Sequence, residues 1–275
     1  MISMRRGFNI DGQVAVVTGG GGIICSALSK ALATEGVKVA VLDIDGESAK
    51  SVSDDIVANG GTAIAVQADV LSMDSLNKAE KAVTDAFGTI DILINGAGGN
   101  KKEATTSEDR TFFDLPSDSI QWVMNLNLMG TILPTQVFGK TMAEKGEGVI
   151  INFSSMASLR PLTRTIAYSA AKAAINNFTQ WLAVYMNQEY SPNIRVNAIA
   201  PGFLLTQQNH YLLVDEKTDK PTARGKRIIE HTPMGRYGVP DDLVGTILWL
   251  ISDEARFVNG IIVPVDGGFA AYSGV

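Results

Sequence analysis

Residues 14–22 read VAVVTGGGG, and the segment that follows them, at 23–36, reads IICSALSKALATEG. The apolar run at 14–18 shows no polar alternation, which is typical of a parallel strand that is covered on both faces. Its glycines lead into a helical pattern at 26–35, and a second apolar run, KVAVLD, occupies 38–43. The stretch 14–43 therefore predicts a strand, a tight turn, a helix and a second, parallel strand.

Strand and helix patterns continue to alternate along the chain. Further apolar runs lie at 63–69, 90–95, 148–154, 194–200 and 261–265, and helical patterns lie at 47–58, 74–87, 119–143, 167–189 and 240–253. This order predicts right-handed crossovers and an α/β, doubly wound Rossmann fold, with a seven-stranded parallel sheet and helices on both faces. We expect one domain over 1–275. The polar segment 203–231 is expected to form a lid over the crevice at the carboxyl ends of the strands.

The composition narrows the class of protein. The 275 residues carry a net charge of −6, with a pI near 5.0, so nucleic-acid phosphates would be repelled and we expect a small-molecule ligand. The single cysteine, Cys25, has no intrachain partner, and the two histidines stand apart from any ligand-like cluster, so we expect no metal site. The sequence lacks a secretory-signal pattern and a long apolar run, which favours a cytoplasmic protein that does not enter a membrane.

The glycines at 19–22 stand between the first strand and the first helix. In that position a glycine loop lets the backbone approach a pyrophosphate that is held at the helix N-terminus. A flexible strand-to-helix turn is the alternative interpretation.

Asp43 ends the second strand about 20 residues after the loop, where a carboxylate can accept hydrogen bonds from an adenine-side ribose. It would repel a 2′-phosphate, and no Arg or Lys stands directly beside it. The pattern thus favours NAD(H), although Asp43 could also be a capping residue in the turn before Gly46.

Two further groups follow strands of the predicted sheet. Asp69 ends the third run, and Asn95, Gly96, Ala97 and Gly98 follow the fourth. Asp69 could hydrogen-bond an adenine, and the small residues would leave room for a dinucleotide at the same sheet edge. Each could equally be a turn residue.

Tyr168 and Lys172 are four residues apart in a predicted helix, so their side chains share one face. Hydride transfer at carbon needs a proton transfer at oxygen, and an ammonium beside a phenol is expected to lower the pKa of that phenol. Ser155 ends the fifth strand and could hold a substrate oxygen. Asn127 could anchor a water that connects Lys172 to solvent. The alternative is an ordinary exposed helix pair, which the glycine loop and the position of Ser155 make less favourable.

Taken together, these motifs resemble those of the classical short-chain dehydrogenase/reductase family over essentially the full length of the chain. The resemblance implies that Tyr168 donates and accepts the proton, Lys172 lowers its pKa and binds ribose, Ser155 positions the substrate oxygen and Asn127 anchors a water. It also implies a homotetramer in which the helix bearing Tyr168 packs against a partner subunit. The implied NAD(H) contacts are Gly19, Gly21, Gly22, Ile23, Ile24, Asp43, Asp69, Val70, Asn95, Gly96, Ala97, Tyr168, Lys172, Pro201, Gly202 and Leu204.

The glycine loop departs from the family pattern. That pattern is Thr-Gly, three residues, Gly, any residue and Gly, and its later glycines fall on Ile23 and Cys25 here. Ile23 must then fit beside the pyrophosphate, so cofactor affinity is the property that the departure would affect. Cys25 is expected to be a packing residue rather than a reactive thiol.

Segments 201–209 (PGFLLTQQN), 232–236 (TPMGR), 264–269 (PVDGGF) and 271–274 (AYSG) resemble the D-mannonate oxidoreductase, or fructuronate reductase, branch of the family. That resemblance implies a sugar-acid substrate, and Asn100, Arg160 and Gln208 are the first candidates to contact it. The alternatives are a polyol, gluconate or 3-oxoacyl reductase, or a dinucleotide-sensing regulator without turnover. The presence of both Tyr168 and Lys172 argues against the regulator.

Overall fold

The computed structural model describes residues 8–205, 213–215 and 218–274. Seven strands form one sheet in the order β3-β2-β1-β4-β5-β6-β7, and every neighbouring pair is parallel. Their bounds are β1 Val14–Thr18, β2 Lys38–Asp43, β3 Ala63–Gln67, β4 Ile92–Asn95, β5 Gly148–Phe153, β6 Ile194–Pro201 and β7 Ile262–Val265. This is the predicted doubly wound sheet, which turns between β1 and β4.

Helices cover the sheet on both faces, as predicted. Their bounds are α1 Ile23–Thr34, α2 Gly46–Ala58, α3 Met73–Phe87, α4 Ser117–Met124, α5 Gly130–Lys145, α6 Ile166–Glu189, α7 Ala223–Glu230 and α8 Asp241–Ile251. Buried residues of α1, α2 and α8 form one core with alternate residues of the strands, and buried residues of α3, α5 and α6 form the other. The two faces explain why the strands are apolar at successive positions.

β1 illustrates this division. Ala15 and Val17 belong to the core under α1 and α2, whereas Val14 and Val16 belong to the core on the opposite face. Because side chains alternate along a strand, a covered sheet needs apolar side chains at both parities.

The predicted helix over 119–143 is not one regular helix. The chain forms α4, a π-helical turn at Asn125–Met129 and then α5. The hydroxyl of Thr131, in the first turn of α5, donates to the carbonyl of Asn127 within that turn (2.8 Å). Such π-helical turns are frequent at functional sites, and this one contains Asn127.

The segment 203–231 contains α7, a helix that the polar composition had concealed. Thr222 caps it, because its hydroxyl accepts from the N–H of Gly225 (3.0 Å). Ile228 of α7 packs in a small apolar cluster with Phe203 and Leu205, which directly follow β6. The helix therefore lies at the carboxyl end of β6.

Over the described residues, the search for a membrane-crossing helix found none of sufficient length and apolarity. Within the same residues, no three His, Cys, Asp or Glu side chains are placed to hold a metal ion.

Candidate active site

The glycine loop lies at the carboxyl end of β1, between β2 and β4. Gly19 adopts a left-handed conformation with φ of 64°, and a methyl group on it would come within 2.9 Å of the Ala97 backbone. The N–H of Gly20 donates to the carbonyl of Leu42 (2.9 Å). Only glycine fits the turn at position 19, because it needs both the positive φ and the close approach.

The N-terminus of α1 faces the same edge. Gly22 is its N-cap, so no side chain caps the helix, and its first turn contains no acidic residue. The first turn leaves backbone N–H groups that lack a partner within the helix, including those of Ile23 and Ile24. This helix end can therefore receive an anionic group.

The side chains of Ile23 and Cys25 point to different environments. Ile23 is exposed, whereas Cys25 is buried in the core. Burial, together with the charge of Asp43, raises the pKa of Cys25 to about 12, although Lys172 opposes the shift. The thiol is therefore protonated and unreactive, as expected of a packing residue. A methyl group on Gly96 would overlap its Sγ atom.

Asp43 ends β2, and Asp69 lies in the loop after β3 at the same edge. One carboxylate oxygen of Asp43 accepts from the N–H of Gly21 (3.0 Å), and the other accepts from the N–H of Asp45 (3.0 Å). Asp69 accepts from the N–H of Leu71 (2.9 Å), and Val70 is buried. Asp43 thus fixes the glycine loop against the end of β2, a role that the sequence had not indicated.

Asn95 does not offer its side chain to the crevice. Its amide is 1% exposed and donates to Thr135 Oγ1 (2.9 Å) and to Asn152 Oδ1 (2.9 Å). The expected cofactor contact of Asn95 can therefore come only from its backbone. The neighbouring N–H groups of Gly96 and Ala97 both donate to Thr18 Oγ1 (3.2 Å each).

Tyr168, Ser155 and Lys172 come together at the ends of β5 and α6. β5 ends at Phe153, so Ser155 lies two residues beyond the strand rather than at its end; it is buried, and its side chain interacts with the Tyr168 phenol. Lys172 is 4% exposed, and its Nζ donates to the carbonyl of Phe153 (2.8 Å) and lies 5.6 Å from the centre of the Tyr168 ring. The predicted triad is thus assembled between the face of α6 that bears Tyr168 and Lys172 and the segment after β5 that bears Ser155.

Burial dominates the electrostatics of this triad. It raises the pKa of Tyr168, and the hydrogen bond with Ser155 lowers that pKa only in part. Burial also lowers the pKa of Lys172 to about 8, with a small opposing effect of Cys25. The lowering of the Tyr168 pKa by Lys172 stays a prediction, since in this arrangement burial and the side chain of Ser155 set the shift and its net direction is upward.

Asn127 is fully buried and holds the loop that follows β4 in place. Its amide Nδ2 donates to the carbonyls of Gly99 (2.7 Å) and Val123 (2.8 Å), and its Oδ1 accepts from the N–H of Gly99 (3.3 Å). A methyl group on Gly98 would lie 2.8 Å from Asn127 Oδ1 and 3.3 Å from Lys172 Nζ. Gly98, which the sequence placed on the cofactor only as a small residue, lets Asn127 and Lys172 approach each other.

Pro201, Gly202 and Leu204 lie at the end of β6. The N–H of Gly202 donates to the carbonyl of Val265 (3.0 Å), and Pro201 and Leu204 are buried. Gly202 and Leu204 border a cavity of about 400 Å³ that Met234 and Asp266 also line. Tyr168 does not line it, so this cavity lies beside the reaction site rather than at it.

The predicted substrate residues have local partners. Asn100 is exposed, and its amide donates to Thr105 Oγ1 (3.2 Å). Arg160 donates through Nε to the carbonyl of Ala270 (3.1 Å), which ties the C-terminal segment to the loop before α6. Gln208 lies outside the described residues.

Two residues that hold the site in place were missed by the sequence analysis, Thr18 and Asn176. Thr18 holds the Gly96–Ala97 turn, and Asn176 links Ser154 and Ser158, since Ser154 Oγ donates to Asn176 Oδ1 (2.5 Å) and Asn176 Nδ2 donates to Ser158 Oγ (2.8 Å). Asn176 stands four residues after Lys172, so the helical spacing that pairs Tyr168 with Lys172 could have found it.

Known oxidoreductases match this chain over nearly all of its length. A family model described as enoyl-(acyl carrier protein) reductase matches residues 22–270. An uncharacterized oxidoreductase of Haemophilus influenzae is 48% identical and aligns with 100% of this chain and 99% of its own length. A D-threitol dehydrogenase of Mycolicibacterium smegmatis is 32% identical, and the alignment covers 98% of this chain and 96% of the dehydrogenase.

Among solved structures, a proposed D-mannonate oxidoreductase from Haemophilus influenzae with bound NAD superposes with a TM-score of 0.91. It is 48% identical, and the superposition covers 98% of each chain.

Proposed function

This chain belongs to the short-chain dehydrogenase/reductase family, and on that premise we propose that it is an NAD-dependent oxidoreductase that reduces D-fructuronate to D-mannonate. The observation that carries this proposal is the pair of Ser155 and Tyr168 beside the buried Lys172, whose Nζ lies 5.6 Å from the centre of the Tyr168 ring. This pair stands at the sheet edge that also bears the glycine loop.

The two side chains act on the oxygen of the ketone. Ser155 holds that oxygen by a hydrogen bond, and Tyr168 delivers a proton to it. Because burial raises the pKa of Tyr168, the phenol stays protonated near neutral pH, which suits proton donation during reduction. NADH, when bound, supplies the hydride that the carbonyl carbon receives.

Lys172 restores the proton of Tyr168. Its pKa of about 8 lies close to neutral pH, so the side chain can lose and regain a proton during turnover. Asn127 fixes the backbone of Gly99 beside it, which keeps the path between Lys172 and the exterior in place.

The residues at the glycine loop fit NAD. Methyl groups on Gly19 and Gly21 would collide with the Ala97 backbone and with Ser48, so the loop packs tightly only with glycine, and the uncapped N-terminus of α1 suits a pyrophosphate. Asp43, held at the end of β2, would accept hydrogen bonds from the ribose and repel a 2′-phosphate. The related structure that contains NAD supports the same choice.

The substrate assignment rests on relatedness and on chemistry. The 48% identical protein of known structure is named a proposed D-mannonate oxidoreductase. A polyol is the second candidate, because a D-threitol dehydrogenase is 32% identical.

The test is the loss of NADH absorbance with purified protein and D-fructuronate, run beside NADPH and beside neutral keto-sugars. We expect turnover with fructuronate and NADH, and much slower turnover with NADPH. The variant Asp43→Ser should narrow the difference between the two cofactors, whereas Asp45→Ser, in the same turn, should not. Turnover of neutral ketones alone would retain the mechanism and reject the sugar acid.

We also propose that the protein forms a homotetramer through α6. Trp181, Val184 and Tyr185 of this helix are exposed, together with Tyr190 just after it, and the rings of Trp181 and Tyr185 stack at 4.9 Å. An exposed aromatic face of this kind is typical of an interface between subunits. Light scattering should give a mass of four chains for the wild type and a smaller mass for Val184→Asp.

A further inference from the structure

The segment that carries Ser155 is fastened to α6 at two successive turns of the helix. At the first turn, Lys172 Nζ donates to the carbonyl of Phe153 (2.8 Å). At the second turn stands Asn176, four residues further along the same face. The proposed reaction uses Lys172, and it leaves Asn176 without a role.

The side-chain amide of Asn176 bridges the two ends of this segment. Its Oδ1 accepts from Ser154 Oγ (2.5 Å), and its Nδ2 donates to Ser158 Oγ (2.8 Å). The hydroxyl of Ser158 in turn donates to the carbonyl of Ser155 (2.6 Å). A single hydroxyl group therefore connects Asn176 with the backbone of Ser155.

The direction of these hydrogen bonds requires an amide at position 176. A serine hydroxyl has one hydrogen, and Ser158 can give it to the Ser155 carbonyl because Asn176 donates to Ser158 and does not accept from it. A carboxylate of the same shape could only accept, so it would compete for that hydrogen. The amide accepts on the side of Ser154 and donates on the side of Ser158, which leaves both contacts satisfied.

The backbone that Ser158 holds also sets the direction of the Ser155 hydroxyl. Ser155 is the N-cap of a 3₁₀ turn at Met156–Ser158, and its Oγ accepts from the N–H of Ala157 (3.1 Å). The carbonyl of Ser155 accepts from the N–H (2.9 Å) and from the hydroxyl (2.6 Å) of Ser158. Because Oγ accepts from the backbone, the hydroxyl hydrogen of Ser155 is left for the side on which it interacts with Tyr168.

We propose that Asn176 is a positioning residue, which acts through Ser158 to hold the Ser155 hydroxyl toward the substrate oxygen. This inference rests on the proposed function for the role of Ser155 in ketone reduction. Without the amide, Ser158 can turn its hydroxyl away, and the 3₁₀ turn keeps only its backbone hydrogen bonds. A displaced Ser155 hydroxyl stabilises the charge that develops on the ketone oxygen less well.

The test measures the pKa of Tyr168 without substrate, by fluorine NMR of the protein labelled with fluorotyrosine. The chain has six tyrosines, and the resonance that is missing from Tyr168→Phe identifies this one. Because Ser155 lowers the pKa of Tyr168, Ser155→Ala should raise that pKa by about 1–2 pH units. Asn176→Leu keeps the size of the side chain and removes both of its hydrogen bonds, so it should raise the pKa by about half of that amount.

The double variant decides whether Asn176 acts through Ser155. In the Ser155→Ala background, Asn176→Leu should leave the pKa of Tyr168 unchanged, since the hydroxyl that it positions is gone. A merely structural role would raise the pKa equally in both backgrounds, and this result would overturn the proposal. An unchanged pKa in Asn176→Leu alone would also overturn it, as would an unchanged pKa in Ser155→Ala, because Ser155 would then not contact the phenol.

Asn177→Leu is the matched control. Asn177 is exposed, and it is the next residue of α6, about 100° further around the helix, so the same substitution there should leave the pKa of Tyr168 unchanged. Ser158→Ala removes the link without altering α6, so it tests the proposal even where Asn176→Leu does not fold. It should raise the pKa as Asn176→Leu does, and an unchanged value would overturn the route through Ser158.

The proposed reaction can fail independently of this positioning role. With fructuronate and NADH, Asn176→Leu should lower kcat about 10- to 100-fold and leave the KM for NADH unchanged. A pKa effect that depends on Ser155, without turnover of any ketone by the wild type, would support the positioning of Ser155 and reject the reaction. Turnover of fructuronate by Asn176→Leu at the kcat of the wild type would support the reaction and reject the positioning role.

Discussion

Replacing Lys172 with methionine should make the protein inactive and, near pH 7, more stable. Lys172 is 4% exposed, and burial lowers its pKa from 10.5 to about 8. The folded protein thus holds an ammonium that it would hold more easily if unfolded. Methionine has a similar length and no charge, so it removes this penalty while filling most of the space.

The magnitude follows from the two pKa values. The difference between 10.5 and about 8 corresponds to about 3 kcal/mol at about 1.4 kcal/mol per pH unit. Loss of the hydrogen bond to the Phe153 carbonyl (2.8 Å) opposes this gain by about 1–2 kcal/mol, because a buried carbonyl loses its donor. We therefore expect a net gain of about 1–2 kcal/mol in the free energy of unfolding near pH 7.

The sign depends on pH. Between about 8 and 10.5 the unfolded chain still binds the Lys172 proton that the folded protein has released, so the stability of the wild type increases with pH across that window. Lys172→Met lacks this increase. Its advantage should shrink above pH 8 and become a deficit of about 1–2 kcal/mol near pH 10.5, where only the lost hydrogen bond remains.

Urea unfolding at a single protein concentration, measured from pH 7 to 10.5, gives the difference between the two proteins. Groups that titrate in both proteins without interacting with Lys172 cancel in that difference. Lys78→Met, at an exposed position of α3, should show no pH-dependent difference from the wild type. A constant difference between Lys172→Met and the wild type at every pH would refute the reasoning that burial governs the charge of Lys172.

Three further outcomes are expected from the site. Tyr168→Phe should lower turnover about 10²- to 10⁴-fold, as loss of a general acid does, while a fluorescence titration should show NADH binding little changed. Gly98→Ala places a methyl group 2.8 Å from Asn127 Oδ1. Turnover should therefore fall strongly, whereas the urea midpoint of unfolding should shift only slightly. Gly96→Ala should destabilise the protein by about 1–3 kcal/mol through overpacking against Cys25, and Cys25→Ala should restore part of that loss in a double-mutant cycle of urea unfolding curves.

The fold could be predicted because its decisive signals are local. The strands β1 and β2 have the predicted bounds, since an apolar run between glycines leaves little choice of limits. The helix pattern at 119–143 concealed the π-helical turn because an apolar period persists through α4 and α5. Insertion of one residue into a helical turn leaves no mark on composition, so only the coordinates could place Asn127 there.

The direction of Asn95 could not be predicted, for a different reason. Asn95 ends a strand, and a strand end can present its side chain to the crevice or to the core. The register decides, because Asn95 of β4 is level with Asn152 of β5 and the two amides hydrogen-bond (2.9 Å). The sequence does show an asparagine in each of two apolar runs, which is compatible with a buried amide pair. The register between the two strands that brings the amides together is a long-range property that the sequence does not reveal.

The triad could be predicted in its members but not in its electrostatics. A spacing of four residues places Tyr168 and Lys172 on one face of a helix whatever surrounds them. Their pKa values depend instead on how deeply other elements bury them, and burial opposes the effect that proximity of charge alone would have. Burial of a particular side chain is set by the whole fold, which short-range spacing does not describe.

The glycine loop can carry Ile23 and Cys25 in place of the glycines of the family pattern because the surroundings of each residue accommodate its side chain. Cys25 turns away from the crevice into the core, and the space that it needs is provided by Gly96, which directly follows β4 and where any side chain would overlap Sγ. The loop keeps its one conformational requirement, the positive φ of Gly19. Ile23 is exposed at the helix start, where an anion would contact backbone N–H groups that every residue possesses. A motif position thus matters through the volume and backbone geometry around it, and a substitution that a partner accommodates leaves the anion site intact.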